Sequence, residues 1–541
     1  MQCRRLVPRR RFLETCVGGL AAVCSTPGAA QTSAARRTAP GNFFVTPASA
    51  PVPGILEIGG TKQTFLDDLL IFEASRIDRF QTRPTKFEKN PIIVTDRPWE
   101  HGAPVDHTLT GVEITGQCVL YDDDEKLFKM WYLGWTWQDG RRPWCYAVSR
   151  DGYHWDKPDL GLYEYAGSTK NNILADWADP QYFNVFRDPH DPDPARRYKA
   201  MGEFEGPTPN HTGGAAVAFS PDGLRWTQYE HNPVVRHGRN MGDAPTLLGW
   251  DQHIERYVFY PRPGHGLAPE IYGTGDHRHI RSYGYSTSRD FLEWSPTEVM
   301  LTPDARDRVD YQYMQFTAGI DGEFYVGLNA MYETHEQTWD IYLMSSRDGF
   351  HWNWIDRSVP FLGRGEAGTY DAGYMTPSGP IFHDGKVWIY YGTFSGAHSE
   401  VRTGLGPNRM AIGVCTLPVD RWVGLLAGPY RGTLVTHPLV FAGTGLQIDL
   451  DASVPLQRPG GRRRFDECEV RLAVEDPSGG AIEGFTIDRC RPILEGGVQQ
   501  VAWDGGNVVS LAGKPVRLRF EMRNAALYSL QFVEGGNRDA K

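Results

Sequence analysis

In the last hundred residues, apolar and polar positions alternate with the period of two that is typical of β-strands exposed on one face. The segments are 446–450, 470–474, 516–520 and 528–532, with glycine- and proline-rich turns between them. Further upstream, residues 121–128 (YDDDEKLF) predict a strand, an acidic turn and a returning aromatic strand. This hairpin pattern returns four times, with its aromatic residue at Tyr198, Tyr257, Phe324 and Trp388. The pattern predicts five hairpins, each opening a unit of similar length.

A second repeat, Ser-x-Asp-Gly-x-x-Trp, follows each of the first four hairpins. Its copies are Ser149 to Trp155, Ser220 to Trp226, Ser288 to Trp294 with Phe291 in place of glycine, and Ser346 to Trp352. The fifth unit keeps only a degenerate form at 419–422. In such a turn the aspartate accepts backbone N–H bonds, glycine supplies a positive φ, and tryptophan packs the turn onto a neighbouring strand. We interpret these turns as scaffold rather than as catalytic sites.

Together the two repeats predict an all-β chain. Five four-stranded units of about 60 to 70 residues have the size of propeller blades, so residues 54–435 are predicted to form a five-bladed β-propeller. The alternating segments after it predict a C-terminal β-sandwich over 436–541. The content of 60 glycines and 38 prolines suits many short strands joined by tight turns.

The first fifty residues are predicted to be a targeting signal followed by a linker. Residues 9–13 (RRRFL) match the twin-arginine pattern and precede a modestly apolar run and a small-residue site at 28–30. Residues 1–30 therefore predict a signal peptide for export to the periplasm or beyond, with a cytosolic basic tail or lipidation at Cys24 as alternatives. Residues 31–53 are small, polar and proline-rich, which predicts a disordered linker.

The net charge and the cysteine content limit which binding partners and metal sites the sequence allows. The net charge is −10 and stays negative after removal of the arginine-rich leader, which argues against nucleic acid or an anionic membrane as partner. No apolar stretch in the body is long enough to cross a membrane. The five remaining cysteines show no zinc-site spacing, and the sequence leaves open whether Cys468 and Cys490 pair or stay reduced.

Propeller geometry selects the candidate site residues. The first strand of each blade begins at the ligand face and the second strand ends there, so useful side chains should come before each hairpin acid or after each returning strand. The strand starts give one acid per blade: Glu113, Asp179, Asp243, Asp310 and Asp371. The strand ends give Trp135, Trp137, Glu203, Glu205, Arg262, Glu333 and His398.

A ring of carboxylates around one axis is costly unless it is used, because like charges raise one another's pKa. Glycoside hydrolysis needs one protonated carboxyl and one carboxylate. The hypothesis makes Asp179 or Glu113 the base or nucleophile, Glu333 or Glu203 the proton donor, and Asp243 the residue that tunes them. The substrate-binding set is then Trp135, Trp137, Arg262, Asp310, Asp371 and His398. The alternatives are that the acids cap turns, tie blades together or hold a structural Ca²⁺; no other cofactor is expected.

The chain also resembles a known group. A five-bladed propeller with an appended sandwich, built from Ser-x-Asp-Gly-x-x-Trp turns, resembles the glycoside hydrolase superfamily that contains families 32 and 43. Residues 151–162 (DGYHWDKPDLGL) with Asn171 and Asn172, and residues 513–520 (GKPVRLRF), are similar to exported bacterial proteins related to family 32. The resemblance covers residues 60 to 535 and implies a secreted glycosidase acting on a plant or algal oligo- or polysaccharide.

The sequence departs from family 32 in its chemistry. It lacks the Trp-x-Asn-Asp-Pro-Asn-Gly segment of the family's nucleophile, and no Glu-Cys pair like that of the family's acid occurs within the predicted propeller, residues 54–435. Its one Arg-Asp-Pro triplet, at 187–189, falls on the turn of the second hairpin, where we interpret it as structural. A non-catalytic carbohydrate-binding propeller therefore stands beside the glycosidase as the alternative function.

Overall fold

The computed structural model describes residues 54–101, 111–134, 142–175, 181–204, 214–236, 246–262, 281–398, 410–452 and 468–534. In these residues the regular structure consists of thirty-five strands and four short 3-10 helices. The prediction of an all-β chain is confirmed. The expected leader, 1–30, and the expected linker, 31–53, lie outside the described residues.

The first strands of the chain are short and pair with strands far away in sequence. They are β1 (Leu56–Gly59), β2 (Gln63–Thr64), β3 (Ile71–Ser75), β4 (Ile77–Gln81) and β5 (Thr85–Lys86). A 3-10 helix at Pro98–Glu100 follows them.

Five consecutive antiparallel sheets follow, each opened by a hairpin. The first contains β6 (Val112–Glu113), β7 (Val119–Asp122), β8 (Leu127–Gly134), β9 (Trp144–Ser149) and β10 (Ile173–Ala175). The second contains β11 (Gln181–Arg187), a 3-10 helix (Pro194–Arg196), β12 (Tyr198–Phe204), β13 (Gly214–Ser220), β14 (Thr227–Gln228) and β15 (Val235–Arg236). The third contains β16 (Thr246–Asp251), β17 (Arg256–Tyr260), β18 (Tyr283–Ser288) and β19 (Glu298–Leu301).

The fourth sheet contains β20 (Tyr311–Asp321), β21 (Phe324–Glu333), β22 (Thr338–Ser346) and β23 (Asn353–Trp354). The fifth contains β24 (Tyr374–Pro377), β25 (Ile381–His383), β26 (Lys386–Phe394) and β27 (Met410–Pro418). One parallel pairing, Trp339 with Tyr374, links these two sheets. The outer position of the fifth sheet is filled by β5, because Thr85 and Lys86 pair with Thr416 and Cys415 of β27.

Each sheet shares a hydrophobic core with the next. The first and second share Trp131 and Tyr198, the second and third share Val217 and Phe259, and the third and fourth share Tyr260 and Phe316. The fourth and fifth share Trp339 and Tyr374, and the fifth returns to the first through Tyr390 and Phe128. A strand with a core on both faces is apolar throughout rather than alternating, as β13 is, with every residue buried.

The end of the chain forms two further sheets. Their strands are β28 (Val423–Ala427), β29 (Gly432–Thr436), β30 (Leu439–Phe441), β31 (Gly445–Asp451), β32 (Glu469–Glu475), β33 (Gly497–Val501), β34 (Arg517–Arg523) and β35 (Ala525–Val533), with 3-10 helices at Ile487–Arg489 and Val508–Leu511. One sheet has the order β33-β31-β35-β28-β4 with β2 on β35, and the other has the order β3-β29-β34-β32. In β34, buried and half-buried residues alternate, as the sequence predicts for a strand with one covered face.

The N-terminal strands β2, β3 and β4 lie in these last two sheets. Both ends of the described chain thus meet in the same sheets, and one buried core joins Phe65, Val326 and Phe520 across them and the fourth sheet. The expected boundary between residues 435 and 436 stays a prediction. Cys468 and Cys490 are both free thiols in the structure, with no disulfide between them.

The Ser-x-Asp-Gly-x-x-Trp turns have the predicted geometry. In the second turn the Ser220 hydroxyl accepts the Gly223 N–H at 2.9 Å, and the Asp222 carboxylate accepts the N–H groups of Leu224 and Arg225 at 2.8 Å. The other three turns repeat these bonds. Phe291 takes the glycine position of the third turn with the same positive φ, +68°. The interpretation of these turns as scaffold is confirmed.

The hairpin acids tie neighbouring sheets together at one end, which we call the turn end. Asp188 of the second hairpin accepts a hydrogen bond from the Tyr257 hydroxyl of the third sheet at 2.7 Å. It also forms an ion pair with the buried Lys199 at 2.7 Å. The equivalent bonds run from Tyr198 to Asp122, from Tyr325 to Asp251 and from Trp422 to Asp321. Asp188 belongs to the Arg-Asp-Pro triplet, so its interpretation as a structural turn is confirmed.

Candidate active site

The predicted site residues that the structure describes lie at the opposite end of the five sheets, which we call the loop end. Glu113 is in β6, Asp310 and Asp371 precede β20 and β24, and Glu203 and Glu333 lie near or at the ends of β12 and β21. Arg262 and His398 follow β17 and β26. Trp135, Trp137, Asp179, Glu205 and Asp243 lie outside the described residues.

Asp310 and Glu333 are the two candidates that a described contact brings together. The Nη2 of Arg308 donates to Asp310 Oδ2 at 2.9 Å and to Glu333 Oε1 at 2.8 Å. The two strands that carry them are in register here, because Tyr311 pairs with Glu333. The arginine balances two carboxylates that would otherwise repel each other. Its side chain is 58% exposed, so this group faces solvent.

Glu113 has a different environment. Its side chain is 14% exposed, and the Nη1 of Arg142 lies 3.6 Å from its Oε2. Burial raises the pKa of the Glu113 carboxyl, and the charge of Arg142 offsets part of that rise. A carboxyl with a raised pKa keeps its proton to higher pH, as a general acid must. The environment therefore favours Glu113 as a proton donor over the base role first assigned to it.

Asp371 is engaged within the fold. Its carboxylate lies 2.6 Å from the Lys86 ammonium, the second residue of the strand that completes the fifth sheet, and it accepts the Thr369 hydroxyl at 2.9 Å. Only 3% of its side chain is exposed. The ion pair to β5 accounts for this acid without a substrate, in line with the interpretation that some of these acids tie strands together.

Arg262 also acts between sheets. It is 4% exposed, and its Nη1 donates to the Met314 carbonyl of β20 at 2.7 Å, an oxygen that the Tyr283 hydroxyl also contacts. Glu203 is 7% exposed in β12 and pairs in register with Gln181 and Ala215. Both side chains are buried among strands rather than open to solvent.

His398 lies in an aromatic cluster between the fourth and fifth sheets. Its ring lies 5.5 Å from Trp339, 5.8 Å from Tyr332 and 6.3 Å from Tyr374, and Trp339 stacks on Tyr374 at 3.9 Å. Its backbone N–H donates to the Gln337 carbonyl at 2.9 Å. The histidine thus borders the loop that follows Glu333.

The motif that carries the resemblance to exported family 32-like proteins folds into a structural network. The Lys157 ammonium contacts both oxygens of Glu100, at 2.7 and 2.9 Å, and the Tyr132 hydroxyl donates to the same carboxylate at 2.6 Å. Asn172 donates to Tyr132 and accepts the Trp99 indole N–H. Glu100 is fully buried, and each of these polar groups has a partner, which is the condition for a stabilising buried network.

The sequence analysis did not identify the two arginines that contact the candidate acids. Arg142 lies beside Glu113, and Arg308 bonds Asp310 and Glu333. Neither belongs to a repeat, and each meets its carboxylate across a loop or a sheet. The only signal is that Arg308 lies two residues before Asp310, a spacing that is common and not specific.

In the part of the chain that the structure describes, no group of three or more histidine, cysteine or acidic side chains is arranged to hold a metal ion. The calcium alternative stays untested. The same residues contain no helix long and apolar enough to cross a membrane.

Comparison with known proteins gives remote similarities. No protein-family model and no curated protein match the sequence. An N-acetylgalactosamine deacetylase from F. plautii, in complex with blood group B trisaccharide, aligns over 64% of this chain and 97% of its own, at 12% identity and a TM-score of 0.42. A structure from the GH130 family of mannoside phosphorylases aligns over 63% of this chain and 95% of its own, at 13% identity and a TM-score of 0.40. A glycosyl hydrolase from Bacteroides ovatus aligns over 63% of this chain and 95% of its own, at 14% identity and a TM-score of 0.39.

Each of these proteins is named for an activity on carbohydrates. Their identities and TM-scores are too low to carry an argument about this chain, so the proposals that follow depend on its own residues.

Proposed function

We propose that residues 54–435 form a five-bladed β-propeller and that the final sheets form a β-sandwich. Five four- or five-stranded sheets in chain order, each sharing a core with the next and the fifth with the first, support the propeller. Completion of the last blade by β5, a strand from the other end of the chain, supports ring closure. The two sheets made from both chain ends support the sandwich.

We further propose that the protein is an exported glycoside hydrolase, acting at the loop end on a plant- or algal-type oligo- or polysaccharide. One observation carries this proposal: the loop end holds a buried carboxyl whose pKa is raised, Glu113, and two carboxylates balanced by one arginine, Asp310 and Glu333. Hydrolysis of a glycosidic bond uses such a division between a protonated and an ionised carboxyl. Glu113 then donates a proton to the leaving oxygen, and Glu333 or Asp310 serves as base or nucleophile.

The remaining roles follow the sequence hypothesis. Asp179 and Asp243 are proposed as further acids of the site, and Trp135 and Trp137 as platforms for sugar rings. The twin-arginine leader supports export to the periplasm or the medium.

The test is sugar release from a panel of plant and algal polysaccharides by the mature chain and its variants. Glu113→Gln and Glu333→Gln should each lower the rate at least ~10²-fold, the usual contribution of an acid–base group. Glu323→Gln is the matched control, because Glu323 lies in the same hairpin as Glu333 at the turn end. Unchanged release by both Glu333→Gln and Asp243→Asn would refute the assignment.

A non-catalytic carbohydrate-binding protein is the second candidate. It is favoured by the absence of the family 32 nucleophile segment from the sequence and of a Glu-Cys pair from residues 54–435. Binding to a glycan with no product from any member of the panel would select this function over hydrolysis.

A further inference from the structure

A cavity of about 500 Å³ lies at the loop end between the fourth and fifth sheets. Its walls come from the start of β22, the segment 363–373 that connects the two sheets, and residues 395–397 after β26. None of its lining residues is among the candidates selected from the sequence. Thr338, at one edge, pairs in register with Glu333, so the cavity adjoins the hairpin that carries this proposed base or nucleophile.

A charged pair lies in this cavity. The backbone N–H of Arg364 donates to Asp340 Oδ1 at 2.6 Å, and its Nε lies 3.4 Å from Oδ2. The Nη1 of Arg364 donates to the Ala372 carbonyl at 3.3 Å, which holds the guanidinium against the wall. Both side chains keep part of their surface open, 21% for Asp340 and 29% for Arg364. The pair therefore offers a carboxylate that accepts and a guanidinium that donates hydrogen bonds, with no net charge.

Thr338 adds an independent indication of a ligand. The residue is 9% exposed, and its hydroxyl finds no hydrogen-bond partner among the described residues. A buried hydroxyl without a partner costs free energy, and such groups are uncommon in folded proteins. The hydroxyl oxygen is itself covered by the protein, so a polar ligand in the cavity would supply the missing bond after rotation of the Thr338 side chain about its Cα–Cβ bond.

The remaining walls are made by residues with little or no side chain. A Cβ on Gly373 would lie 1.7 Å from the Gly396 carbonyl oxygen, and one on Gly365 would lie 2.1 Å from Asp371 Oδ1. Glycine is therefore required at both positions by close approach of the walls. A cavity of this size, lined by a few polar side chains and otherwise by glycine and alanine, suits a small molecule with several hydroxyls.

We propose that this cavity binds one ring of a neutral saccharide, with two adjacent hydroxyls held by Asp340 and Arg364 and a third bonded to Thr338. The absence of net charge favours a neutral sugar over a uronic acid, whose carboxylate would meet Asp340. The proposal deepens the proposed function, since it adds a recognition site for the carbohydrate beside Glu333. It depends on that function only for the class of ligand.

The experiment measures binding of methyl α-mannopyranoside, methyl β-galactopyranoside, methyl β-glucopyranoside and methyl β-glucuronide by saturation-transfer NMR and calorimetry. At least one neutral glycoside should bind saturably to the mature chain, and more tightly than the glucuronide. Gly363→Leu should weaken this binding at least tenfold by filling the cavity, because a Cβ there meets only Asp340 Oδ1 at 3.9 Å. Gly428→Leu, at a glycine with open space far from the cavity in sequence, should bind as the wild type does.

A second pair of variants tests the hydroxyl itself. Thr338→Val should weaken binding several-fold, whereas Thr317→Val should not, because Thr317 also has a buried hydroxyl without a described partner but does not line the cavity. The proposal fails if no neutral glycoside binds, if Gly363→Leu retains binding, or if the glucuronide binds best. Loss of hydrolysis in Glu113→Gln with unchanged glycoside binding separates this site from the catalytic one. Binding without hydrolysis by the wild type would overturn the proposed hydrolase and keep this site.

Discussion

The two ends of the five sheets use the same residue type, a carboxylate, in opposite ways. At the turn end, Asp188 meets a tyrosine of the next sheet and a fully buried lysine, and its counterparts repeat the tyrosine or tryptophan bond. At the loop end, Asp310 and Glu333 share an arginine that is mostly exposed, and Glu113 is buried beside Arg142. Carboxylates at the turn end hold neighbouring sheets together, and Asp371 ties strand β5 to the fold at the loop end, whereas Asp310 and Glu333 bond an exposed arginine and are proposed for chemistry. A substitution at the turn end should therefore lower the stability of the fold, and one at the loop end should change sugar release.

The largest effect on stability is expected from Asp188→Ala. The change removes a partner of Lys199, whose side chain is completely buried, and of the Tyr257 hydroxyl. Breaking a buried ion pair costs 3–5 kcal/mol, and Asp191 at 2.7 Å keeps one partner for the lysine, so we expect a loss of about 3 kcal/mol. Chemical denaturation measures it, with Asp310→Ala as the control from the loop end. Equal losses in both variants would contradict the comparison.

A comparable loss is expected from Phe291→Gly in the third turn. Glycine would relieve a positive φ of +68°, worth about 1 kcal/mol. It would also empty the space of a fully buried ring that contacts Tyr257 and Trp294, a change that costs 3–5 kcal/mol. The net loss should be about 2 to 4 kcal/mol, measured by the same denaturation. A stabilised variant would show that backbone strain outweighs packing in this turn.

The third prediction concerns pH. Because the pKa of Glu113 is raised in the folded chain, the unfolded chain ionises first as pH increases. The contribution of Glu113 to stability is thus fully present below its ordinary pKa and is lost as pH rises through the raised value. Glu113→Gln cannot ionise, so its melting temperature relative to the wild type should increase between pH 4 and pH 7. Glu323→Gln, at the turn end of another sheet, should show no such trend.

The turn end was predictable from sequence, because its interactions are local and repeated. The bonds of Ser220 and Asp222 lie within five residues of each other, so a short motif contains all the chemistry that forms the turn. The hairpin acids were recognised by spacing, and Asp188 was separated from a catalytic role by its position in the hairpin. Even the degenerate fifth turn keeps its tryptophan, since Trp422 bonds Asp321 of the fourth sheet at 2.7 Å.

The loop end was predictable only as a set of positions. The predicted starts and ends of the strands put Glu113, Asp310 and Glu333 at one end of their sheets, where the structure also has them. Their arginine partners come from loops whose sequences do not repeat. The engagement of Asp371 by Lys86 joins residues almost three hundred positions apart, and no periodicity announces it. The cavity with Asp340 and Arg364 was missed for the same reason, since its walls come from connections between sheets rather than from strands.

The smallest effect on stability, and the sharpest test of the comparison, is expected from Asp310→Asn. The ion pair that it removes is exposed at Arg308, and exposed pairs contribute little to folding. The melting temperature should therefore stay within experimental error of the wild type. Sugar release should fall, because Asp310 is one of the two proposed carboxylates and Arg308 would keep only its bond to Glu333. A fall in stability with an unchanged rate of sugar release would instead make Asp310 a structural residue like Asp188, and the two ends of the sheets would no longer differ.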